Sequence, residues 1–547
     1  MKKNNSWKMV CALVSILSIL TLSACSSSGP ATAGASGGSE AKPAGESKVV
    51  NIGITNAPLM FNPIDQTDNT SIIVTSILFQ PLMELDENLE FVPMLADSIE
   101  TEDNQVYTVK LNENAKWSDG EPVTADDVVF TVKLIGNPKS IVSLSTRYAV
   151  LEGFDELGKL PEGASDVAGV KKIDDHTVEF RTKQPVDPNL FMEGFGKNLK
   201  PLPEHVLKDA SPETLAQNPF FQKPTVVNGP FTFVTYAKDQ YIELQANKDY
   251  FKGAPKLDKL NFKIMPSSNL VAQLQSGEID MNFPGIGTIS VQDFEKVKNM
   301  SNVNAVSGKP FNYQNLYFNN ETITDVRVRH AIAYAINREM MIDNLLKGEG
   351  ESMDVQYTPI HPYYNKNLTP ITYNPEKAKE LLKEAGWDSS KTLRLVVPSG
   401  NKTREQAADI IVENLKAVGI NAQVQKFDLA TSVQKLIKGE YDLDILGLIF
   451  ILDPDLTTVF GTGSKTNYAR YSSPEMDKLL LEGTKETDSD KRRVIYDKVQ
   501  ELIMQDLPQI ALFADYRLLA TNKRVLVGGP KDLGAFINVY EWDVEPK

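Results

Sequence analysis

The chain has 547 residues, with 57 Lys and Arg against 72 Asp and Glu and a formal net charge of −15 at pH 7. This length exceeds what one hydrophobic core usually supports, so we expect two or three domains. The acidic balance disfavours contact with phosphate backbones, so we expect no nucleic-acid partner.

The N-terminus has the pattern of a secretory signal. The basic stretch MKKNNSWK precedes an apolar run from Met9 to Leu22, which is too short for a stable membrane span. The run ends in Leu22-Ser23-Ala24-Cys25, which is similar to a bacterial lipobox, whose cysteine is lipid-modified and becomes the new N-terminus. A plain secretory signal cut near Ala24 is the alternative. We expect a signal peptide over residues 1–24 and lipidation at Cys25.

Residues 25–47 predict a flexible linker, because they are rich in Ser, Gly and Ala and offer little surface to bury. At roughly 5–6 Å × √n, such a linker holds a folded domain about 25 Å from its anchor. Cys11 and Cys25 are the only cysteines, and Cys11 leaves with the signal, so we expect no internal disulfide.

The first half of the folded part predicts one lobe with an insertion. Val49–Ile54 reads as a buried strand, and the loop Thr55-Asn56-Ala57-Pro58 follows it. Residues 81–224 are rich in alternating strands and turns and predict an extra domain inserted into this first lobe. The stretch QLQSGEIDMNFPG, residues 273–285, predicts a helix, a Gly-Glu-x-Asp turn and an apolar strand.

Two extended segments predict crossings between two lobes. They are Ala305–Asn319 and Gln509–Thr521. Two such crossings form a hinge, which is a usual device for closing on a ligand. Between them we expect one helix from Asp325 to Lys347 and another that begins at the Asn374-Pro375 cap.

The second half alternates strands and helices. The predicted elements are a strand at Leu393–Val397, a helix that starts at Thr403 with Gln406 in a capping box, a strand at Ala422–Phe427, a helix at Thr431–Lys438 and a strand at Tyr441–Ile451. This order predicts a parallel, doubly wound α/β sheet. The stretch KLIKGEYDLDILG repeats the pattern of residues 273–285, which favours two lobes built on one plan.

Three loops at strand ends predict a ligand cleft. In doubly wound sheets, ligands bind beyond the carboxyl ends of the strands. The loops at residues 55–58, at residues 283–287 and at Asp453-Pro454-Asp455 all occupy such places. From topology alone, a solvated turn is an equally good interpretation of Asp453 and Asp455.

The sequence offers little for catalysis or metal binding. Its four histidines stand outside any HExxH or His/Cys/Asp cluster, and the predicted folded part has no G-x-S-x-G elbow. Residues 461–466 lack the Gly-Lys pair of a phosphate loop, and Asp453-x-Asp455 lacks the glycine and the glutamate of a calcium loop. We therefore expect no enzyme activity, no metal and no cofactor.

Several blocks together resemble a known family. They are LADSIETEDNQVYTVKLNENAKWSDGEPVTADDVVFTVKLI (95–135), NGPFTF (228–233), DVRVRHAIAYAINRE (325–339), YNPEKAKELLKEAGW (373–387) and YSSPEMDKLL (471–480). They look like the signature blocks of the family-five extracellular solute-binding proteins, the oligopeptide-, dipeptide- and nickel-binding lipoproteins of ABC importers. The resemblance covers essentially the whole chain after the signal.

The resemblance implies a class II periplasmic-binding-protein fold: two α/β lobes, a two-crossing hinge and an extra domain in the first lobe. We expect lobe I at 48–80, 225–308 and 516–547, the inserted domain at 81–224, and lobe II at 309–515. The implied role is capture of peptides by a monomer outside the membrane, with delivery to an ABC permease and its ATPase. A nickel chelate or an oligosaccharide as ligand, or a peptide-pheromone receptor, are the rival functions.

The resemblance also implies binding residues. In the better-known peptide binders, the strand matching Gly447–Ile451 pairs with the peptide backbone, and an aspartate four residues after the glycine holds the peptide's α-ammonium. Here that fourth position is Ile451, and carboxylates follow at Asp453 and Asp455. We expect Asp453, or else Asp455, to contact the ammonium. The expected backbone contacts are Gly447, Leu448 and Ile449, with Asn56 and Ala57 on the other lobe.

Overall fold

The computed structural model describes residues 47–65, 68–164, 166–449 and 451–547, so the predicted signal peptide, Cys25 and nearly all of the predicted linker lie outside it. The strands run in chain order as β1 (Val49–Ile54), β2 (Met83–Leu85), β3 (Phe91–Pro93), β4 (Ala96–Thr101), β5 (Val106–Leu111), β6 (Val170–Asp174), β7 (Thr177–Arg181), β8 (Phe231–Ala237), β9 (Tyr241–Ala246), β10 (Lys259–Ile264), β11 (Met281–Asn282), β12 (Val303–Ser307), β13 (Asn312–Phe318), β14 (Gly350–Ser352), β15 (Thr392–Pro398), β16 (Asn421–Phe427), β17 (Leu443–Ile449), β18 (Gln509–Asp515), β19 (Leu518–Asn522), β20 (Val525–Val527) and β21 (Asp543–Val544).

The helices connect these strands. They are α1 (Asn69–Leu78), α2 (Ala125–Gly136), α3 (Pro188–Phe191), α4 (Glu204–Leu207), α5 (Ser267–Ser276), α6 (Phe294–Lys298), α7 (Val326–Ala335), α8 (Arg338–Leu345), α9 (Pro375–Glu384), α10 (Lys402–Ala417), α11 (Leu429–Lys438), α12 (Thr457–Phe460), α13 (Pro474–Lys485) and α14 (Ser489–Asp506). None of the described helices is long and apolar enough to cross a bilayer.

Lobe I is built on a seven-stranded sheet of order β12-β19-β11-β1-β10-β9-β8. The strand β1 lies at its centre and runs parallel to both β10 and β11. Its side chains Val50, Ile52 and Ile54 are fully buried, which explains the near-continuous apolar run that predicted this strand.

The inserted domain carries a separate antiparallel sheet of order β4-β5-β7-β6 and a small β2-β3 hairpin. Its core joins that of lobe I, since one apolar cluster contains both Val50 of β1 and Val109 of β5. Within the inserted domain, Tyr107 stacks on Phe191 with a ring-centroid distance of 3.7 Å. The inserted domain therefore shares a continuous hydrophobic core with lobe I.

Lobe II is built on a six-stranded sheet of order β14-β18-β13-β17-β15-β16. The strand β15 runs parallel to β16 and β17, as predicted. However, β13 runs antiparallel to both β17 and β18, so the sheet as a whole is mixed. The physical reason is that β13 and β18 are the strands that arrive from and return to the other lobe.

The two predicted crossings are present and short. One is residues 308–311, between β12 of lobe I and β13 of lobe II, and the other is residues 516–517, between β18 and β19. The backbone N–H of Gly308 donates to the carbonyl of Arg517 at 2.7 Å. The two crossings are thus joined to each other at the hinge.

Two helix predictions need correction. The predicted helix from Asp325 to Lys347 is two helices, α7 and α8, because Asn337 has left the helical conformation and its side chain caps α8 at the Met340 N–H. The predicted capping box at Thr403 is also wrong. Asn401 caps α10 instead, by accepting the Arg404 N–H.

The repeated Gly-Glu-x-Asp motif has the same structural role in each lobe. In both, a helix (α5 or α11) ends at a glycine with positive φ, and the aspartate of the motif precedes the next strand. Asp280 accepts the backbone N–H of Asn51 in β1 at 2.8 Å, and Asp442 accepts that of Arg394 in β15 at 2.9 Å. Each aspartate therefore ties the start of its strand to the parallel strand beside it.

Candidate functional site

The end of β17 has an open edge. The neighbouring strand β15 pairs with β17 only at Leu443 and Asp444, whereas β13 pairs with every residue from Leu443 to Ile449. The predicted contacts Gly447, Leu448 and Ile449 all lie in the part that is paired on one side only. Their remaining backbone groups can pair with an added strand.

A half-buried arginine explains the glycine in this segment. A Cβ built on Gly447 would lie 2.7 Å from Nη2 of Arg404. Nε of Arg404 donates to Oε1 of Gln314, the cross-strand partner of Gly447, at 2.8 Å. A side chain at position 447 would therefore displace Arg404. This contact cannot be predicted from the sequence, because residues 404 and 447 are far apart along the chain.

The facing loop of lobe I follows β1. Asn56 is exposed and Ala57 is half-buried. The loop is held from both sides: the Thr55 N–H donates to the Ile286 carbonyl at 2.6 Å, and the Thr70 hydroxyl donates to the Asn56 carbonyl at 3.1 Å. Two of the loops expected to line a cleft, at residues 55–58 and 283–287, are therefore in direct contact.

Asp453 is buried in an ion pair. Its carboxylate lies 2.8 and 3.1 Å from Nη1 and Nη2 of Arg492, and the side chains of Asp453 and Arg492 are 3% and 1% exposed. Oδ1 of Asp453 also accepts the backbone N–H of Asp455 at 2.9 Å. In this conformation the carboxylate of Asp453 is fully engaged by the protein's own donors.

The inserted domain contacts the same loop. Oδ2 of Asp187 lies 3.5 Å from Nη1 of Arg492, and Oε2 of Glu193 accepts the N–H of Asp453 at 3.0 Å. Burial raises the pKa of Asp187, although Arg492 opposes the rise. Asp187 and Glu193 therefore form a polar contact from the inserted domain to lobe II. We call the set of Asp187, Glu193, Asp453 and Arg492 the clasp.

Asp455 is less engaged than Asp453. Its Oδ1 accepts the N–H and the hydroxyl of Thr457 at 2.9 and 2.5 Å. Within the described part of the chain, its Oδ2 has no hydrogen-bond partner. Burial raises the pKa of Asp455, so a cationic partner for this oxygen would stabilise the ionised form. Ile451, at the position of the family's aspartate, is 58% exposed.

Sequence reasoning missed the partners of the Asp-Pro-Asp loop. Arg492 stands between Lys491 and Arg493, a basic run that reads as an exposed helix face. Asp187 and Glu193 are far from the loop in sequence, and no local pattern links them to it. Glu193 lies in the π-helical turn Met192–Gly196, and such turns occur frequently at functional sites, but this one is visible only in the structure.

The motifs considered for metal and phosphate were compared with the contacts of the described residues. No group of three or more His, Cys, Asp or Glu side chains there could hold a metal ion. In the loop at residues 461–466, the hydroxyls of Ser464 and Thr466 both donate to the carbonyl of Thr458, at 2.7 and 2.8 Å. These hydroxyls stabilise the loop itself.

Comparison with known proteins identifies the family. The model of "Bacterial extracellular solute-binding proteins, family 5 Middle" matches residues 90–470. The oligopeptide-binding protein AppA of Bacillus subtilis is 30% identical over 536 residues, 94% of each chain. The dipeptide-binding protein of Escherichia coli is 29% identical and covers 83% of this chain and 87% of its own.

A solved structure agrees with these sequence matches. The structure of the Bacillus subtilis AppA in complex with a nonapeptide has a TM-score of 0.74 and 27% identity, and covers 91% of this chain and 99% of the other. The likeness covers nearly all of the described chain. The chain therefore belongs to the family 5 bacterial extracellular solute-binding proteins.

Proposed function

We propose that this protein captures peptides outside the cell membrane and delivers them to an ABC importer. The observation that carries the proposal is the edge of β17 from Gly447 to Ile449, which is paired on one side only. An extended peptide would add a strand there through main-chain hydrogen bonds, which need no particular side chain. The relatives named for oligopeptide and dipeptide binding support this ligand class.

The same proposal assigns contacts to the named residues. Gly447, Leu448 and Ile449 pair with the peptide backbone on lobe II, while Asn56 and Ala57 contact it from lobe I. The Asp453-Pro454-Asp455 loop holds the α-ammonium. Because Arg492 already engages Asp453, we place the direct contact on Asp455 and give Asp453 the role of positioning the loop.

The proposal also covers the membrane anchor, the protein partners and the domain limits. We propose that Cys25 carries a lipid that anchors the protein to the outer face of the membrane, with residues 25–47 as the tether. The protein works as a monomer that docks on a permease driven by an ATPase. We also propose the domain limits given above: lobe I at 48–80, 225–308 and 516–547, the inserted domain at 81–224 and lobe II at 309–515.

Native mass spectrometry of the purified protein tests the ligand class. We expect added mass that fits peptides, and titration calorimetry with short synthetic peptides should then show saturable binding. Added mass that fits a nickel chelate, a haem or an oligosaccharide, with no heat from any peptide, would contradict the proposal. Peptide binding without a neighbouring permease and ATPase in the genome would instead favour a pheromone receptor.

A further inference from the structure

A cavity of about 230 Å³ lies beside the hinge, at the junction of lobe I and the inserted domain. Its walls include the loop at residues 283–285, part of α1, residues 532–537 and Arg517 of the second crossing. The loop at 283–285 continues into Ile286, which holds the Thr55 loop of the proposed peptide site. The cavity is therefore next to the cleft, and its volume far exceeds the ~10–15 Å³ that one water needs.

Some of the cations that line the cavity form no salt bridge with the carboxylates that line it. Lys197, Lys200 and Arg517 face Glu84 and Asp532 around it. Lys197 lies 4.0 Å from Glu84, and Oδ2 of Asp532 accepts a backbone N–H at 2.7 Å. Lys200 is only 3% exposed, yet among the described residues neither Lys200 nor Arg517 makes a side-chain hydrogen bond or a salt bridge.

These two cations are held at an energetic cost. Burial lowers the pKa of Lys200 to about 8, and burial likewise lowers the pKa of Arg517. Both groups still carry charge at neutral pH. Glu84 attracts Lys200 and Asp532 attracts Arg517, but neither cation has a hydrogen-bond acceptor among the described residues. An entering carboxylate would supply that acceptor through charge-assisted hydrogen bonds.

We propose that this cavity is a subsite for a carboxylate of the bound peptide, held by Lys200 and Arg517. The carboxylate is either the peptide's C-terminus or an Asp or Glu side chain. This inference rests on the proposed peptide-binding function and adds a chemical preference to it. The backbone pairing at β17 supplies sequence-independent affinity, and the subsite selects peptides that place a negative charge at the hinge.

Titration calorimetry with the purified full-length protein tests the subsite. The probes are matched short peptides in which Gln is replaced by Glu at one position after another, each made with a free C-terminus and as the C-terminal amide. We expect the parent protein to prefer one charged form by at least about tenfold. A preference lost in the amides assigns the carboxylate to the C-terminus, and a preference set by Glu at one position assigns it to a side chain.

Substitutions test which residues cause the preference for the charged peptide. Lys200→Met should abolish it and leave the affinity for the neutral peptides within about twofold. Lys252→Met is the matched control: this half-buried lysine lines a different cavity, donates to the Pro93 carbonyl, and should leave the preference intact. Arg517→Met gives the same test if Lys200→Met does not fold.

Three results would overturn the subsite. The parent could bind charged and neutral peptides equally, or Lys200→Met and Arg517→Met could keep the preference, or they could weaken all peptides alike. In each case peptide binding itself stands. Absence of binding to every peptide would overturn both the subsite and the proposed function.

Discussion

Arg492 of α14 lies between two carboxylates from different parts of the molecule, 2.8 Å from Asp453 of its own lobe and 3.5 Å from Asp187 of the inserted domain. Burial alone would lower the pKa of Arg492, but the hydrogen bond that Arg492 donates to Asp453 raises it, so the guanidinium stays charged. A single buried cation thus connects the proposed ammonium loop to the domain that faces it.

The clasp predicts an effect of Asp187 on closure. Asp187→Asn keeps a good cap for α3 but removes the charge that faces Arg492. We expect peptide affinity to fall about fivefold, or about 1 kcal/mol, because the closed arrangement loses one buried attraction. Calorimetry measures the affinity, and small-angle scattering should show a larger radius of gyration. Glu156→Gln, at an exposed carboxylate of the same domain, is the control and should change neither quantity.

The two aspartates of the loop should respond differently to substitution. Asp455→Ala should weaken peptide binding at least tenfold with little change in thermal stability, because a desolvated contact to a charged group is worth roughly 2–5 kcal/mol. Asp453→Ala should lower stability by about 3–5 kcal/mol, because it leaves Arg492 buried beside only the more distant Asp187. Unchanged peptide affinity in a folded Asp455→Ala would sink the ammonium assignment.

Asp444 predicts an unusual pH dependence. It is fully buried in β17, neither carboxylate oxygen has a hydrogen-bond partner among the described residues, and burial raises its pKa well above the ordinary 3.8. The carboxyl group of Asp444 therefore binds its proton more tightly in the folded protein than in the unfolded chain. The stability that this provides is complete below about pH 3.8 and is lost as the pH rises through the folded pKa.

Asp444→Asn should remove the loss of stability that the parent shows as the pH rises. Relative to the variant, the parent should lose up to about 1.4 kcal/mol per pH unit across the window between the two pKa values. Thermal unfolding at about pH 4, 5.5 and 7 measures it.

Asp442→Asn is the matched control with the opposite sign. Burial alone would raise the pKa of Asp442, but hydrogen bonds from Arg394 hold it below 3.8, so its contribution is lost as the pH falls through the folded pKa. Parallel pH curves for the parent and Asp444→Asn would contradict the prediction.

The proposed lipid anchor on Cys25 predicts in which cell fraction the protein is found. Cys25→Ser should release the protein from the membrane fraction, because one modified cysteine is the only attachment we propose. Cys11→Ser should leave it membrane-bound, since that residue departs with the signal peptide. A Cys25→Ser protein that still sediments with membranes would show that the lipobox interpretation is wrong.

The sequence predicted what depends on local periodicity. The apolar runs of β1, β15 and β17 and the two extended crossings were visible because burial of a strand on both faces leaves a continuous apolar stretch. The direction of β13 was not visible, because it depends on which lobe the chain comes from. The Asp-Pro-Asp loop was found from topology, whereas its partner Arg492 is distant in sequence and looks like an ordinary surface charge.

The bond between Gly308 and Arg517 has a consequence for the order of events in binding. When one lobe rotates on the other, each atom moves in proportion to its distance from the pivot. Arg517 belongs to the pivot itself, so the carboxylate cavity should keep nearly the same shape while the lobes are apart and after they meet. The proposed subsite can therefore bind the negative charge of a peptide first, and the lobes then enclose the peptide.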